Sequence, residues 1–215
     1  DARDLRGWQY VLTGTLLSHL SAYGFESPMH GRYAWLQDSI GHVATGIARL
    51  VPLVRSLQVP CVYAPPGRDH EILAQAVSRI IDLPLAPWPA VGVPAPGLVV
   101  LYDLATLPLP EVARLQQRRP DQVFYAHASP WTQDFLIAPD VTTLLYQMLV
   151  PPWDTERDVA AIVDEIAASP GLDHEDTECD QPARWSALLE KAWPPLPGQR
   201  ARLWAGGPVP SNRFD

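Results

Sequence analysis

The stretch VVLYDLATL, residues 99–107, decides the fold of this chain. It begins as an apolar run, which is followed by Asp103 and then by Thr106. A continuous apolar run is typical of a strand that is covered on both faces of a parallel sheet. We therefore expect a buried strand, LVVLYD at 98–103, with Asp103 at its carboxyl end and Thr106 in the turn that follows.

Two further segments have the same strand character. CVYA at 61–64 leads into the turn PPGR, and QVFYAHA at 122–128 follows a short helix that opens at Pro108 and ends near Pro120. A helix with an apolar stripe over 72–80 is expected after the first strand. The alternation of strands and helices predicts an α/β fold with a βαβαβ core over 58–128, a mainly parallel central sheet and helices on both faces.

The flanking regions are expected to complete a single domain over 1–215. Apolar residues at helical spacing predict an N-terminal helical pair over 1–57, with helices at 4–23 and 33–57. The part from 129 to 215 is expected to be mainly helical, and the run VTTLLYQMLV within it fits either a helix or a strand. Its predicted elements are helices at 156–169 and 182–193 and a candidate edge strand at 200–206.

A proline-rich segment separates the first two strand units. The residues 83–97, LPLAPWPAVGVPAPG, include five prolines, which is too many for a regular helix or strand. We expect an exposed, irregular loop that can act as a flap over a site.

Composition excludes several classes of function. The formal net charge is -8, from 24 acidic against 16 basic residues, which disfavours binding to nucleic acid or to an anionic membrane. No apolar run approaches the roughly 20 residues that span a bilayer. Cys61 and Cys179 form neither a disulfide framework nor a zinc motif, and the acidic segment 173–180 lacks metal-ligand spacing. A soluble, cytoplasmic protein without a metal site is expected, either trimmed or part of a longer polypeptide.

Polar residues follow all three predicted strands. In an open parallel sheet, ligands bind beyond the carboxyl ends of the strands. A carboxylate there can orient hydroxyl groups, and an Arg can hold a phosphate. The candidate catalytic residues are Asp103 and His127, and the candidate ligand-binding residues are Arg68, Asp69, Thr106, Ser129 and Trp131.

Three of these candidates also have purely structural interpretations. Asp103 can cap the turn that follows its strand, Asp69 can cap the next helix, and His127 can donate to a backbone carbonyl.

The core resembles a type I phosphoribosyltransferase. The resemblance lies in CVYAPPGRDHEILAQAVSRIIDLPL, then PGLVVLYDLATL, then EVARLQQRRPDQVFYAHA, and covers about a third of the chain. The family's motif is an apolar strand, two acids and then Thr-Thr-Gly around a phosphate loop. Asp103 stands at the first acid and Thr106 at one threonine, whereas Leu104 replaces the second acid and LPLP replaces the glycine-bearing loop. Proline has no N–H to offer a phosphate.

The resemblance implies two main functional hypotheses. The first is a degenerate phosphoribosyltransferase-like domain that senses a nucleotide or ribose phosphate, or that binds a protein partner within a larger assembly. The alternative is an active phosphoribosyltransferase-like or other nucleotide-processing enzyme, in which Asp103 binds ribose hydroxyls or Mg²⁺ and Arg68 binds a phosphate. A third hypothesis is a hydrolase in which Asp103 orients His127 and Ser129 is the nucleophile.

Overall fold

The computed structural model describes residues 16–17, 35–117, 122–130, 137–146 and 148–171. Their strands form a six-stranded sheet, in the order β1-β7-β6-β5-β3-β4, and a separate pair, β2-β8. The strands are β1 Leu16–Leu17, β2 Trp35–Gln37, β3 Val62–Tyr63, β4 Leu85–Ala86, β5 Leu98–Asp103, β6 Val123–Pro130, β7 Val141–Tyr146 and β8 Met148–Val150. The helices are α1 Ile40–Leu57, α2 Arg68–Ile81, α3 Leu109–Gln116 and α4 Val159–Ala168.

Every strand pair in both sheets is parallel. The three strands predicted as neighbours are β3, β5 and β6, and Val62 pairs with Leu98, which pairs with Val123 on its other side. The predicted parallel core is therefore confirmed.

Helices cover both faces of the six-stranded sheet, as predicted. Even-numbered residues of β5, such as Val100, share a core cluster with α1, α2 and α4, and odd-numbered residues, such as Leu101, share another with α3. This alternation follows from the two-residue repeat of a strand. The result is a three-layer α/β sandwich whose central strands β5 and β6 are buried on both faces. None of the helices in the described ranges has both the length and the apolar character needed to cross a membrane.

The N-terminal prediction of two helices is partly wrong. Leu16–Leu17 is a strand paired with β7, and Trp35–Gln37 is a strand paired with β8, although both lie inside predicted helices. Helix α1 begins only at Ile40, where the side chain of Ser39 accepts a hydrogen bond from the His42 N–H and caps the helix. Apolar spacing cannot reveal such short strands, because their stability comes from partners more than 100 residues away.

The prediction of a mainly helical C-terminal part is also corrected. The ambiguous run at 141–150 forms strands β7 and β8, and β6 itself extends to Pro130. Helix α4 confirms the helix expected at 156–169. The predicted elements at 182–193 and 200–206, and the acidic segment at 173–180, lie outside the described residues.

The proline-rich segment is irregular apart from β4, but it is tied to its surroundings. Arg114 on α3 donates to the carbonyls of Pro89 and Gly92, and the Gln122 side chain donates to the carbonyl of Pro94. Val91 at its tip is 88% exposed. These bonds hold the segment against α3 and the start of β6, which does not suit a freely moving flap.

We predict that replacing Gly46 by Ala destabilises the fold. A Cβ at this position would lie 2.9 Å from the Tyr125 hydroxyl and 3.1 Å from His127 Nδ1, so α1 would have to move away from the sheet. Overpacking of this kind costs about 1–3 kcal/mol. Urea unfolding provides the measurement.

A substitution at Ala48, exposed on the same helix, provides the control. Ala48→Gly should lower the free energy of unfolding by about 1 kcal/mol through helix propensity alone. By propensity alone, Gly46→Ala would stabilise by a similar amount, so a stabilised Gly46→Ala variant would contradict the close packing of α1.

Candidate functional site

The carboxyl ends of β5 and β7 meet at Asp103. Its Oδ1 accepts hydrogen bonds from the Ala105 N–H, at 2.9 Å, and from the Tyr146 hydroxyl. Burial raises the pKa of the Asp103 carboxyl, although the bonds from Tyr146 and Ala105 oppose the shift. No described residue bonds to Oδ2. Asp103 therefore caps the following turn, as its structural interpretation expected, and keeps one oxygen unpartnered among the described residues.

The turn after β5 is closed by its own hydrogen bonds. Residues Leu104–Thr106 form a 3₁₀ turn in which the Leu107 N–H donates to the Leu104 carbonyl, and the N–H groups of Glu111 and Val112 both donate to the Pro108 carbonyl. The Thr106 hydroxyl, on an exposed residue, donates to the Asp103 carbonyl at 2.9 Å. Most N–H groups of this segment are thus used within it.

Arg68 is engaged by the turn between β8 and α4, which we call the β8–α4 turn (151–158). Its Nη2 donates to the backbone carbonyls of Asp154 and Arg157. Its Nη1 is buried without a hydrogen bond, 3.8 Å from the Asp69 carboxylate. Asp69 in turn accepts from the Trp153 indole N–H at 2.8 Å. The guanidinium that the sequence analysis assigned to a phosphate therefore donates to backbone carbonyls of the protein itself.

Asp69 does not cap α2, contrary to its structural interpretation. The helix begins at Arg68 and the N-cap position is Gly67, whose φ of 148° is one that side-chain-bearing residues rarely adopt. Asp69 lies in the first turn instead, where its charge suits the helix dipole.

His127 lies in a buried network that we call the Asp38 cluster: Asp38, His42, Tyr102, Tyr125, His127 and Thr143. Asp38 Oδ2 accepts from His127 Nε2 at 3.0 Å and from the Tyr102 hydroxyl at 2.8 Å. Asp38 Oδ1 accepts from the Ser39 N–H at 2.8 Å and from His42 Nδ1 at 3.2 Å. Four donors therefore surround one buried carboxylate.

The cluster continues beyond His127. His127 Nδ1 lies 3.3 Å from the Tyr125 hydroxyl, which lies 2.8 Å from the Thr143 hydroxyl. His127 is fully buried, and its ring stacks on Tyr102 with centroids 5.6 Å apart. This imidazole therefore pairs with a carboxylate rather than with a backbone carbonyl.

Electrostatics favours an ionised Asp38. Burial by itself raises the pKa of this carboxyl, but the charge of His127 and the hydrogen bonds from His127, His42 and Tyr102 outweigh burial and hold the pKa well below its usual range. Sequence reasoning missed Asp38. The available signal was its position just before the capping Ser39, four residues from His42 on the first turn of a helix.

Asp103 and His127 lie on opposite faces of the sheet. Asp103 follows Leu101 on the α3 face, whereas His127 follows Tyr125 on the face of α1, α2 and α4. Asp103 therefore does not orient His127, and the hydrolase hypothesis fails on this geometry. Ser129 is fully buried, and its hydroxyl bonds to the Thr142 hydroxyl at 3.0 Å.

The remaining site predictions concern Trp131 and a metal. Trp131 lies outside the described residues. Within the described ranges, no group of His, Cys, Asp and Glu side chains is arranged to hold a metal ion. Asp103 shares Oδ1 between two donors and has Leu104 beside it in place of a second acid, so the donor set at this edge does not suit Mg²⁺.

We predict that Asp38→Asn severely destabilises the protein. An amide cannot accept from all four donors, and buried donors of the cluster such as the Tyr102 hydroxyl are then left unpaired. Removing one partner of a buried pair costs about 3–5 kcal/mol. Chemical denaturation followed by tryptophan fluorescence measures the loss.

Asp158→Asn is the matched control. Asp158 is exposed and caps α4 by accepting from the Ala161 N–H, a role that Asn fills equally well. The free energy of unfolding of this variant should stay within a few tenths of a kcal/mol of the wild-type value. Equal stabilities of the two variants would show that the Asp38 cluster does not depend on charge.

The comparisons with known proteins give a similarity in fold alone. No family model matches the chain, and no curated protein matches it. Among solved structures, the chain is similar to a purine phosphoribosyltransferase from Pyrococcus horikoshii Ot3, with 13% sequence identity and a TM-score of 0.43 over 58% of this chain and 97% of the other. Residues 58–128 resemble the same family in sequence. A similarity at this level assigns no activity, and the α/β architecture rests on the parallel sheet and helices of the chain itself.

Proposed function

We propose that this chain is a non-catalytic phosphoribosyltransferase-like domain, which acts as a module that binds a protein partner. The observation that carries the proposal is the closed turn after β5. A phosphate loop needs free backbone N–H groups that converge on the ligand. Here Ala105, Leu107, Glu111 and Val112 direct their N–H groups to acceptors within the segment, and Pro108 and Pro110 have none.

Two other candidate site residues are also engaged by the protein. Arg68 binds carbonyls of the β8–α4 turn, and His127 is buried against Asp38. Releasing either group to a ligand would break contacts of the folded state. Catalytic groups are ordinarily held ready for a substrate rather than satisfied by their own chain. The arrangement therefore supports a stable module more than an enzyme.

Exposed apolar side chains support a protein as the partner. Leu109 at the start of α3 is 71% exposed and Val91 in the proline-rich segment is 88% exposed. Arg114 ties that segment to α3. We infer that Leu109 and Val91 contribute to one association surface, because contiguous exposed apolar patches mark such surfaces.

A second candidate is a sensor of a nucleotide or ribose phosphate. It is favoured by one observation, that Asp103 and the exposed Thr106, whose hydroxyl donates to the Asp103 carbonyl, both lie at the end of β5. A carboxylate oxygen and a hydroxyl can bind the hydroxyl groups of a ribose without any phosphate loop.

We predict no turnover of phosphoribosyl pyrophosphate. The purified chain should release no pyrophosphate above the buffer blank with Mg²⁺ and a panel of nucleobases, because the turn after β5 uses most of its N–H groups within itself. A coupled pyrophosphate assay, with an active phosphoribosyltransferase as positive control, makes the measurement. Magnesium-dependent release that Asp103→Asn abolishes would establish the active-enzyme alternative.

Ligand binding and partner binding are separated by a second prediction. Asp103→Asn should lower stability by about 1 kcal/mol, because the Tyr146 and Ala105 donors meet a weaker acceptor. Thermal unfolding with ribose 5-phosphate and nucleoside monophosphates should show no rise in midpoint for either protein. A rise in the wild type that the variant lacks would support the sensor, since any ligand of the native state raises the midpoint.

A further inference from the structure

Strand β5 continues past the end of its neighbour β3. The last paired residues are Tyr63 and Val99, so among the described strands none lies beside the end of β5 on that side. The Leu98 N–H donates to the carbonyl of Cys61, which directly precedes β3. Because successive N–H groups of a strand alternate in direction, the Tyr102 N–H points to the same side as that of Leu98. A buried N–H there needs an acceptor that β3 cannot supply.

His70 supplies that acceptor from the first turn of α2. Its Nδ1 accepts from the Tyr102 N–H at 3.2 Å, and its Nε2 lies 3.5 Å from the Thr106 hydroxyl. The residue is only 2% exposed. Gly67 makes room for the ring, because a Cβ there would lie 2.8 Å from His70 Cδ2. One imidazole thus joins α2, β5 and the turn that contains Thr106.

The geometry fixes the protonation state of His70. An imidazole that accepts at Nδ1 must carry its single proton at Nε2, and an imidazolium carries protons at both nitrogens and cannot accept. Protonation of His70 Nδ1 would therefore place a second N–H directly opposite the Tyr102 N–H inside the protein. Two buried donors that face each other are unfavourable, and separation of the ring from the strand is the smallest change that removes this contact.

We propose that His70 is an acid-sensitive latch, whose protonation at Nδ1 releases the Tyr102 N–H and separates the start of α2 from the end of β5. Opening of the latch loosens the segment that carries Asp103 and Thr106. The inference does not depend on what the candidate site binds. The latch depends on the hydrogen bond from the Tyr102 N–H to His70 Nδ1, which cannot form once Nδ1 carries a proton.

Burial affects the pKa of His70 more than the charges around it do. Titratable or charged groups of the adjoining elements are Arg68, Asp69 and Glu71 on α2 and Tyr102 and Asp103 on β5. Burial lowers the pKa of His70 to about 4, and the charge of Asp69 only partly opposes this shift. The unfolded or open state binds the proton near the ordinary value of about 6.5. The latch is thus fully closed above that pH and weakens as the pH falls toward 4.

Amide hydrogen exchange at Tyr102 tests the latch directly. The protection factor of this amide, corrected for intrinsic exchange, should fall by about tenfold or more between pH 6.5 and pH 4.5 while far-UV circular dichroism stays native. The Leu98 amide is the internal control, since it points to the same side but bonds to a backbone carbonyl. Its protection should stay nearly constant over the same range.

The variant His70→Asn removes titration but keeps an acceptor. The amide oxygen of Asn can take the place of Nδ1, so Tyr102 should stay protected at both pH values. An unchanged Tyr102 protection factor in the wild type would overturn the proposal. Equal loss of protection in the wild type and in His70→Asn would also overturn it.

A measurement on the wild type guards against a variant that fails to fold. The ¹⁵N resonances of the His70 ring should show an unprotonated Nδ1 and a protonated Nε2 at pH 7, and the cation should form only together with the loss of Tyr102 protection. A cationic ring that leaves Tyr102 protected, or a neutral ring with its proton on Nδ1, would refute the latch.

Discussion

The burial of one ionised carboxylate governs the arrangement of this fold. Asp38 lies between β2 and α1, yet its oxygens bind Tyr102 on β5 and His127 on β6. Its own N–H donates to the Val150 carbonyl at the end of β8. A buried charge must be surrounded by donors, because its desolvation is otherwise prohibitive. Helix α1, the two-stranded sheet and the main sheet are therefore fixed relative to each other by the requirement to satisfy this group.

That requirement divides the polar residues of the sheet between its two faces. On the face of α1, α2 and α4, His127 is held within the Asp38 cluster. On the α3 face, Asp103 pairs with Tyr146 and with its own turn. Residues on neighbouring strands can thus have backbones close together and still share no site. Their side chains then point to opposite faces of the sheet, because successive residues of a strand alternate between the two faces.

Sequence reasoning succeeded where the information is local and failed where it is distant. The strands β5 and β6 are continuous apolar runs, and the end of β5 at Asp103 could be read directly from the chain. The hydrogen-bonded partners Asp38 and His127 are 89 positions apart, so no local pattern could pair them. The short strands β1 and β2 depend on β7 and β8 in the same way, and helical spacing misassigned them.

The polar groups at the carboxyl edge of the sheet are largely paired with groups of the chain itself. An enzyme holds polar groups in costly, incompletely paired positions so that a substrate completes them. Here Arg68 Nη2 donates to the carbonyls of Asp154 and Arg157, and the turn after Asp103 uses most of its N–H groups within itself, whereas Arg68 Nη1 is buried without a hydrogen bond. The hydrogen bonds that Asp103 Oδ1 accepts from the Ala105 N–H and the Tyr146 hydroxyl give this carboxylate a structural role, as the cap that joins β5 to the turn.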